Sequence, residues 1–337
     1  MTSPGVVLGD TEALARASGL LDFEQTVPRW MTHRRSVSEV FVCGTAALPE
    51  DVFGVAVALP RAHALWADRA PGWHDPLQAV EAGRQATIAL AHAHFGLGRE
   101  LMMVARSCDM RVRERTAFRD DGRQPLEGIF LMRAVDRKVH NGVLVALGFA
   151  GELYIGETSA MEMSGTLVFT PMSDYELLRA HSRARKGLAA APGDPVGAQP
   201  IAPRLVGREC LDNVVIGASD DDGFPIIVRP ENPRYFDHPL DHVPGQLLME
   251  ACRQNAIATA VGAGALSGPH ALVTAFGARF DEFAELDAPC TCVAGELDRA
   301  TPGLVRTTLS VRQLGQTVGA VEIELTDHIG TNGKVTR

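Results

Sequence analysis

Two short runs of the 337-residue chain put an acid and a cation at a spacing that could do chemistry. They are Glu81-Ala-Gly-Arg84-Gln85 and Glu250-Ala-Cys-Arg253-Gln254. On a helix, a spacing of three places the Glu and the Arg on one face. Both runs sit in otherwise apolar stretches, where an isolated charge costs several kcal/mol and is kept only when paired or used. Each is therefore either an internal ion pair or part of a reacting site. The loop ahead of the second run, Tyr235-Phe-Asp237-His238-Pro-Leu-Asp241-His242-Val-Pro244-Gly245, holds two His and two Asp within six residues. Imidazole titrates closest to neutral pH and is suited to acid–base work. The first run is preceded by a poorer set, Arg61, His63, His74 and Asp75. We therefore expect Glu250, His238, Arg253, His242 and Asp241 to form the reaction centre. Glu81 and the first set, with Arg61, are read as support or as a contact for a substrate anion.

The elements that must position these residues occur twice. The two EAxRQ runs lie 169 positions apart. Upstream, Arg34-Arg-Ser-Val-Ser-Glu-Val-Phe-Val pairs with Arg208-Glu-Cys-Leu-Asp-Asn-Val-Val-Ile at an offset of 174. Two blocks in one order at nearly one offset indicate a tandem duplication. Each copy reads as a β-branched run (Val37–Cys43, Val214–Ile216), a second strand (Val55–Leu59, Ile226–Arg229) and then one long helix. The helices span Pro76–Phe95, with Asp75 as N-cap and Pro76 at the first position, and Gly245–Val261. Both are apolar on nearly every side, which predicts burial all round. Strand-like stretches follow at Leu101–Ala105, Gly128–Arg133, Gly142–Phe149 and Gly165–Thr170, then at Leu272–Phe276, Cys290–Ala294, Val305–Val311 and Thr317–Leu325. A buried helix wrapped by an antiparallel sheet is the hotdog architecture. The expected fold class is α+β, a tandem (double) hotdog forming an intrachain pseudo-dimer, its two sheets joined edge to edge so that edge strands are covered. Repeat 1 is placed at 20–186 and repeat 2 at 204–328. Between them Gly187, Pro192, Gly193, Pro195, Gly197, Pro200 and Pro203 make 187–203 a linker. Residues 1–19 and 329–337 are read as loosely held tails.

Composition narrows the class. A chain of this length holds about two domains at roughly 150 residues each. Apolar residues are 46% and charged residues 22% of the chain, as in ordinary globular proteins. The net charge of −9 opposes broad nucleic-acid binding, which needs many cations. No apolar stretch approaches the ~20 residues of a membrane span. The first residues hold Asp10, Glu12 and Arg16 and no signal core, so a cytoplasmic protein is expected. Cys43, Cys108, Cys210, Cys252, Cys290 and Cys292 form no CxxC pair and read as small buried side chains. No metal site is expected. P-loop, GxGxxG and GxSxG signatures are absent, so no nucleotide cofactor or α/β-hydrolase is expected. Arg106, Arg111, Arg113, Arg115, Arg119 and Arg123 read equally as a solvated edge or as a docking patch for an acidic carrier protein.

The cluster resembles two related things. The looser match is the β-hydroxyacyl-carrier-protein dehydratase pattern, a loop His, then Pro-Gly, then a helix Glu followed by Gln. The tighter match is the A-factor biosynthesis hotdog family, the γ-butyrolactone synthases of actinomycetes. It is carried by His33-Arg34 with Glu39-Val-Phe-Val, Pro60-Arg61-Ala-His63, Asp75-Pro76 through Gln85, Val206-Gly207-Arg208, Phe236 through Gly245, Leu248 through Gln254, and Phe283 through Cys290. The match covers about residues 30–325. The resemblance implies transfer of a β-ketoacyl chain from acyl carrier protein to the hydroxyl of dihydroxyacetone phosphate, followed by closure to a butenolide phosphate, with no cofactor. It implies Glu250 or His238 as base and helix-start amides near Gly245 as oxyanion donors. It also implies Arg253 or Arg84 as the phosphate contact, with Gln254 lining the substrate site. Rival readings are a dehydratase or thioesterase on the same fold, or a non-catalytic acyl- or butenolide-binding protein.

Overall fold

The computed structural model describes residues 11–68, 72–140, 142–195, 197–219 and 223–327. Its α-helices are α1 (Thr11–Leu20), α2 (Pro76–His94), α3 (Met172–Arg185) and α4 (Gly245–Gly262). Its strands are β1 (Val42–Ala47), β2 (Val52–Leu59), β3 (Leu101–Val112), β4 (Leu126–His140), β5 (Val143–Ile155), β6 (Thr158–Pro171), β7 (Phe224–Pro225), β8 (Leu272–Phe280), β9 (Cys290–Ala294), β10 (Leu304–Gln313) and β11 (Gln316–Thr326). They form one antiparallel sheet in the order β1-β2-β4-β5-β6-β3-β8-β11-β10-β9-β7. The seam between the halves is β3 against β8, with Asp109 opposite Gly277. Each is the first strand after a buried helix, so the duplication places the two helices about a pseudo-two-fold at the middle of the sheet.

The helices pack as their composition requires. Asp75 caps α2 by accepting the Leu77 amide at 3.0 Å, and all but a few of the helix residues are buried. Gly83 lies so close to β6 that a Cβ there would reach the Met163 sulfur. At the matching position of α4, Cys252 sits 3.6 Å from Cys292 on β9, thiol to thiol. This is the hotdog fold, with one helix for each half of the sheet.

Three sequence expectations change. Val37–Glu39 is a short 3-10 turn, and the strand starts at Val42. Val214–Ile216 and Ile226–Arg229 are reduced to an isolated bridge, Ile216 with Ile226. The reason is a helix side chain. Gln85 accepts the Phe41 amide at 2.8 Å and donates to the Glu39 carbonyl at 2.8 Å. Gln254 does the same with the Val215 amide (3.0 Å) and the Asn213 carbonyl (2.7 Å). These backbone groups bond to the helices and not to a neighbouring strand. The expected N-terminal tail also holds α1, whose Ala13, Leu14 and Ala17 pack on Val52, Ile129, Leu131 and Tyr154.

Helix α3 has no counterpart in the expected element order. Its buried face is Tyr175, Arg179, Ser182 and Arg183, which carries no apolar stripe. It is held by ions. Arg179 bonds Asp241 (2.8 Å) and both oxygens of Glu285 (2.9 and 2.6 Å). Arg183 bonds Glu285 and Asp287, each at 2.8 Å, and Lys186 reaches Glu285 at 3.0 Å. Breaking one partner of a buried ion pair costs about 3–5 kcal/mol. Arg183→Met should therefore lower unfolding stability by about that amount, read as the urea midpoint. A change below about 0.5 kcal/mol, the range of surface substitutions, would mean that α3 is not clamped as described.

Candidate active site

At the middle of each buried helix, a glutamate is boxed by two arginines and a glutamine. In the first box, Glu81 accepts from Arg34 (2.5 Å), from Arg84 through Nε and Nη2 (both 2.8 Å), and from Gln85 (2.8 Å). In the second, Glu250 accepts from Arg208 (3.1 Å), Arg253 (2.9 Å) and Gln254 (2.5 Å). The repeat offsets superpose these residues one for one. The loops correspond as well. Asp237 accepts the amides of Arg35 (2.6 Å) and Ser36 (3.0 Å), and Asp68 accepts those of Glu209 (2.7 Å) and Cys210 (3.1 Å). Each half thus supplies a loop to the other half's box.

This crossing corrects the expected cluster. The loop carrying His238 serves the box of Glu81, not that of Glu250. Arg34 also donates to Gln246 of α4 at 3.3 Å. His33 lies within electrostatic reach of both Arg84 and His238. Asp241 and His242 do not join Glu250. His242 bonds Asp241 at 2.7 Å and stacks edge-on against Phe283, while Tyr175 and Arg179 hold Asp241 from α3. Arg61 is paired with Asp120 at 2.8 Å, and His63 with Glu39 at 3.2 Å. Gln254 is spent on Glu250 and the backbone. Gly245 is the first residue of α4, against the Phe280 ring, and no side chain caps that helix.

The two boxes differ in access. Arg208 and Glu250 are sealed, Arg253 is 7% exposed, and its Nη1 donates to Asp75 at 2.8 Å. Arg208 also bonds the Leu65 carbonyl at 2.9 Å. The cavity beside Arg253 and Asp75 holds about 20 Å³, close to one water. Burial would lower the Arg253 pKa, but Glu250 and Asp75 outweigh it and hold the guanidinium charged. In the first box Arg84 is 33% exposed and, among the described residues, its side chain bonds only Glu81. Its Nη1 carries no protein acceptor there. Burial would raise the Glu81 carboxyl, yet Arg34 and Arg84 hold it well below the usual carboxylate range. A carboxylate so gripped is a poor proton acceptor, and its evident task is to fix the two guanidiniums.

The groups left to move a proton are imidazoles. His238 Nδ1 lies 3.3 Å from Asp237, so Nδ1–H donates to the carboxylate and Nε2 keeps a lone pair. His33 was quoted only within the family motif, and its part in the site was not foreseen. His92 Nδ1 donates to the Leu97 carbonyl at 2.9 Å, which leaves His92 Nε2 to accept from His33 Nε2–H at 3.0 Å. The His33 Nδ1 lone pair is thereby defined. Burial, then His92, Arg84 and His238, depress the His33 pKa to about 4, so the ring is neutral at pH 7. Its backbone is left-handed, φ 54°. The repeat-equivalent residue is Gly207, φ 68°, where a Cβ would lie 2.3 Å from the Pro269 carbonyl oxygen. A conformation suited to glycine carries a histidine only in the open box. The signal was present in the sequence, since His33-Arg34 aligns with Gly207-Arg208.

A larger groove, about 910 Å³, crosses β3, β6, β8 and β11. Its charges are largely paired across strands, as in Arg113 with Glu162 (2.5 Å), Arg279 with Asp109 (3.0 Å) and Arg306 with Glu324 (2.7 Å). Part of the arginine-rich segment is thus a salt-bridged sheet surface, and Arg115 and Arg119 lie over Trp73.

Comparison with known proteins bears on the family and the fold. A protein from Streptomyces virginiae named 2-oxo-3-(phosphooxy)propyl 3-oxoalkanoate synthase is 32% identical over 281 residues, covering 82% of this chain and 90% of that protein. A protein of the same name from Streptomyces coelicolor is 28% identical over 326 residues, covering 90% and 93%. Among solved structures, an oleoyl thioesterase described from Lactobacillus plantarum superposes with a TM-score of 0.50 at 12% identity, over 83% of this chain and 98% of that one, a likeness of fold. The family AfsA, the A-factor biosynthesis hotdog domain, matches residues 16–148 and 189–326. The chain belongs to the A-factor biosynthesis hotdog family.

Proposed function

We propose that this protein is a β-ketoacyl transferase acting on dihydroxyacetone phosphate, the reaction that yields a 2-oxo-3-(phosphooxy)propyl 3-oxoalkanoate. The observation that carries this reading is Arg84, a guanidinium held rigid by Glu81 along one edge while the other faces outward, with His33 within electrostatic reach of both Arg84 and His238. Such a fixed fork suits a phosphate. The acceptor's phosphate lies on Arg84, and its hydroxyl is directed to the imidazoles. His238 Nε2 takes the hydroxyl proton, and Asp237 stabilises the imidazolium. The alkoxide oxygen attacks the thioester carbon, a C–O bond forms, the C–S bond breaks, and the carrier thiolate leaves with the proton. Backbone amides at Gly245, on an uncapped helix end, stabilise the oxyanion. His33, neutral and with a defined lone pair, orients the hydroxyl. The activated methylene of the ester then condenses with the acceptor ketone and loses water, giving a butenolide phosphate. An acyl carrier protein is the donor, and the setting is the cytoplasm. No helix among the described residues is long and apolar enough to cross a membrane.

On this reading, Glu250, Arg253, Gln254, Asp241 and His242 hold the fold, Arg61 is outside the substrate site, and Glu81 positions Arg84 and Arg34.

A mass-spectrometric assay tests the reaction. Purified protein, a β-ketoacyl carrier-protein thioester and dihydroxyacetone phosphate together should yield the phosphorylated ester or its butenolide, and neither substrate alone should. Free acid or an enoyl thioester, unaffected by the phosphate, would instead indicate a thioesterase or dehydratase. His238→Asn should lower kcat by about 10²–10⁴, the usual worth of a positioned base, with little change in either KM. A change below threefold would remove His238 from the chemistry.

His33→Gly separates function from stability. Turnover should fall at least tenfold while thermal stability is kept, because relief of a left-handed backbone, worth about 1–3 kcal/mol, offsets the lost contact with His92. The pH dependence has a definite sign. Between pH 6.5 and about 4 the unfolded chain protonates His33 and the folded chain does not. Stability is therefore full above 6.5 and falls as pH falls toward 4. His33→Gly should flatten that slope in urea unfolding at stepped pH, and an unchanged slope would refute the buried neutral ring.

A further inference from the structure

The two boxes are the same construction with one exchange at the helix start. The N-cap positions of α2 and α4 are Asp75 and Pro244, which correspond in the repeat, and each precedes its helix's box arginine by nine residues. Asp75 divides its carboxylate. Oδ1 accepts the Leu77 amide of α2 at 3.0 Å, and Oδ2 accepts Arg253 Nη1 of α4 at 2.8 Å. It joins the start of one helix to the box arginine of the other. By the repeat correspondence the start of α4 stands to Arg84 as that of α2 stands to Arg253, but Pro244 has no carboxylate to offer and α4 has no side-chain cap.

We infer that Asp75 is a built-in surrogate for the substrate's negative charge. Its carboxylate permanently fills the Glu250 box, and the missing carboxylate at Pro244 leaves the Glu81 box as the chain's single anion site. The inference rests on the proposed transferase reading for the identity of the anion: phosphate on Arg84, with the developing oxyanion on the adjacent α4 amides. Two further exchanges point the same way. The open box has His33 where the sealed one has Gly207. It has His238 where the sequence of the other half has Arg69, a residue outside those described. The sealed box thus has no imidazole at the positions matching His33 and His238, carries its own anion, and has a cavity, lined also by His74, too small for a phosphate. Duplication supplied two sites, and position 75 against 244 decides which one takes a ligand.

The test moves the carboxylate. Pro244→Asp should cover Arg84 as Asp75 covers Arg253, raising KM for dihydroxyacetone phosphate at least tenfold and changing KM for the acyl thioester less than twofold. Pro244→Ser, which can cap the helix without charge, should change the acceptor KM less than twofold. Inorganic phosphate serves as a probe independent of turnover, since a ligand of the folded state raises the melting temperature. It should shift wild type and Asp75→Asn equally and leave Pro244→Asp unshifted. A wild-type phosphate shift retained in Pro244→Asp, or lost in Asp75→Asn, overturns the inference, as does an unchanged acceptor KM in Pro244→Asp. Should Pro244→Asp fail to fold, Arg84→Gln takes its place, and a phosphate shift retained there overturns the inference. If wild type makes no ester but the phosphate arm behaves as stated, the transferase reading fails and the anion site stands.

Discussion

A carboxylate in the middle of a helix that is buried on every side is the constraint around which this protein is built. Left alone, such a charge costs several kcal/mol after every relaxation the protein can make. Glu81 and Glu250 are tolerated because each is met by two guanidiniums and a carboxamide at 2.5–3.1 Å. Those partners then dictate structure around them. Arg34 and Arg208 must arrive from the segment before the first strand, which requires a left-handed turn just ahead of each. Gln85 and Gln254 tie that same segment to the helix by taking backbone groups that would otherwise have belonged to a ladder. The shortened strands at the outer edges of the sheet are a consequence of the box.

The box also explains how one construction can serve structure in one half and chemistry in the other. A guanidinium pinned along one edge by a carboxylate loses little freedom when it binds a second anion, so its remaining edge is preorganised. Where the protein provides that second anion, as Asp75 does for Arg253, the result is a closed network of Glu250, Arg208, Arg253, Gln254 and Asp75. Where it does not, the same edge is offered outward. The neighbouring loop is held firmly enough to matter. Asp241, three residues beyond His238, is gripped by α3 through Arg179 and Tyr175; burial would raise its carboxyl, but the bonds from His242, Arg179 and Tyr175 hold it far below the usual range. Helix α3, placed inside repeat 1 by the sequence, lies between the two segments that the family model matches, residues 16–148 and 189–326, so this stretch positions a loop as well as joining two halves.

Much of this was legible from residue order. The EAxRQ repeat located both buried helices within a residue or so, Asp75-Pro76 marked the start of α2, and the strand-like stretches overlap β3 to β6 and β8 to β11. Three things were not legible, each for a physical reason. Helix α3 buries arginines, so it shows no apolar stripe to read. The crossing of loops between halves is a property of the pseudo-two-fold, and sequence proximity assigned His238 to Glu250 where its loop lies against Arg35 and Ser36, beside the Glu81 box. The difference in access between the boxes depends on one carboxylate reaching across to a helix 178 positions away. Yet its signature, Asp at one helix start and Pro at the other, was already present in the aligned repeats.

The most direct measurement is a crystal structure of the protein with dihydroxyacetone phosphate bound. The account predicts one phosphate per chain, contacting Arg84 between α2 and the start of α4, with Asp75 still on Arg253. A phosphate bound at Arg253, or one bound away from both arginines, would contradict it.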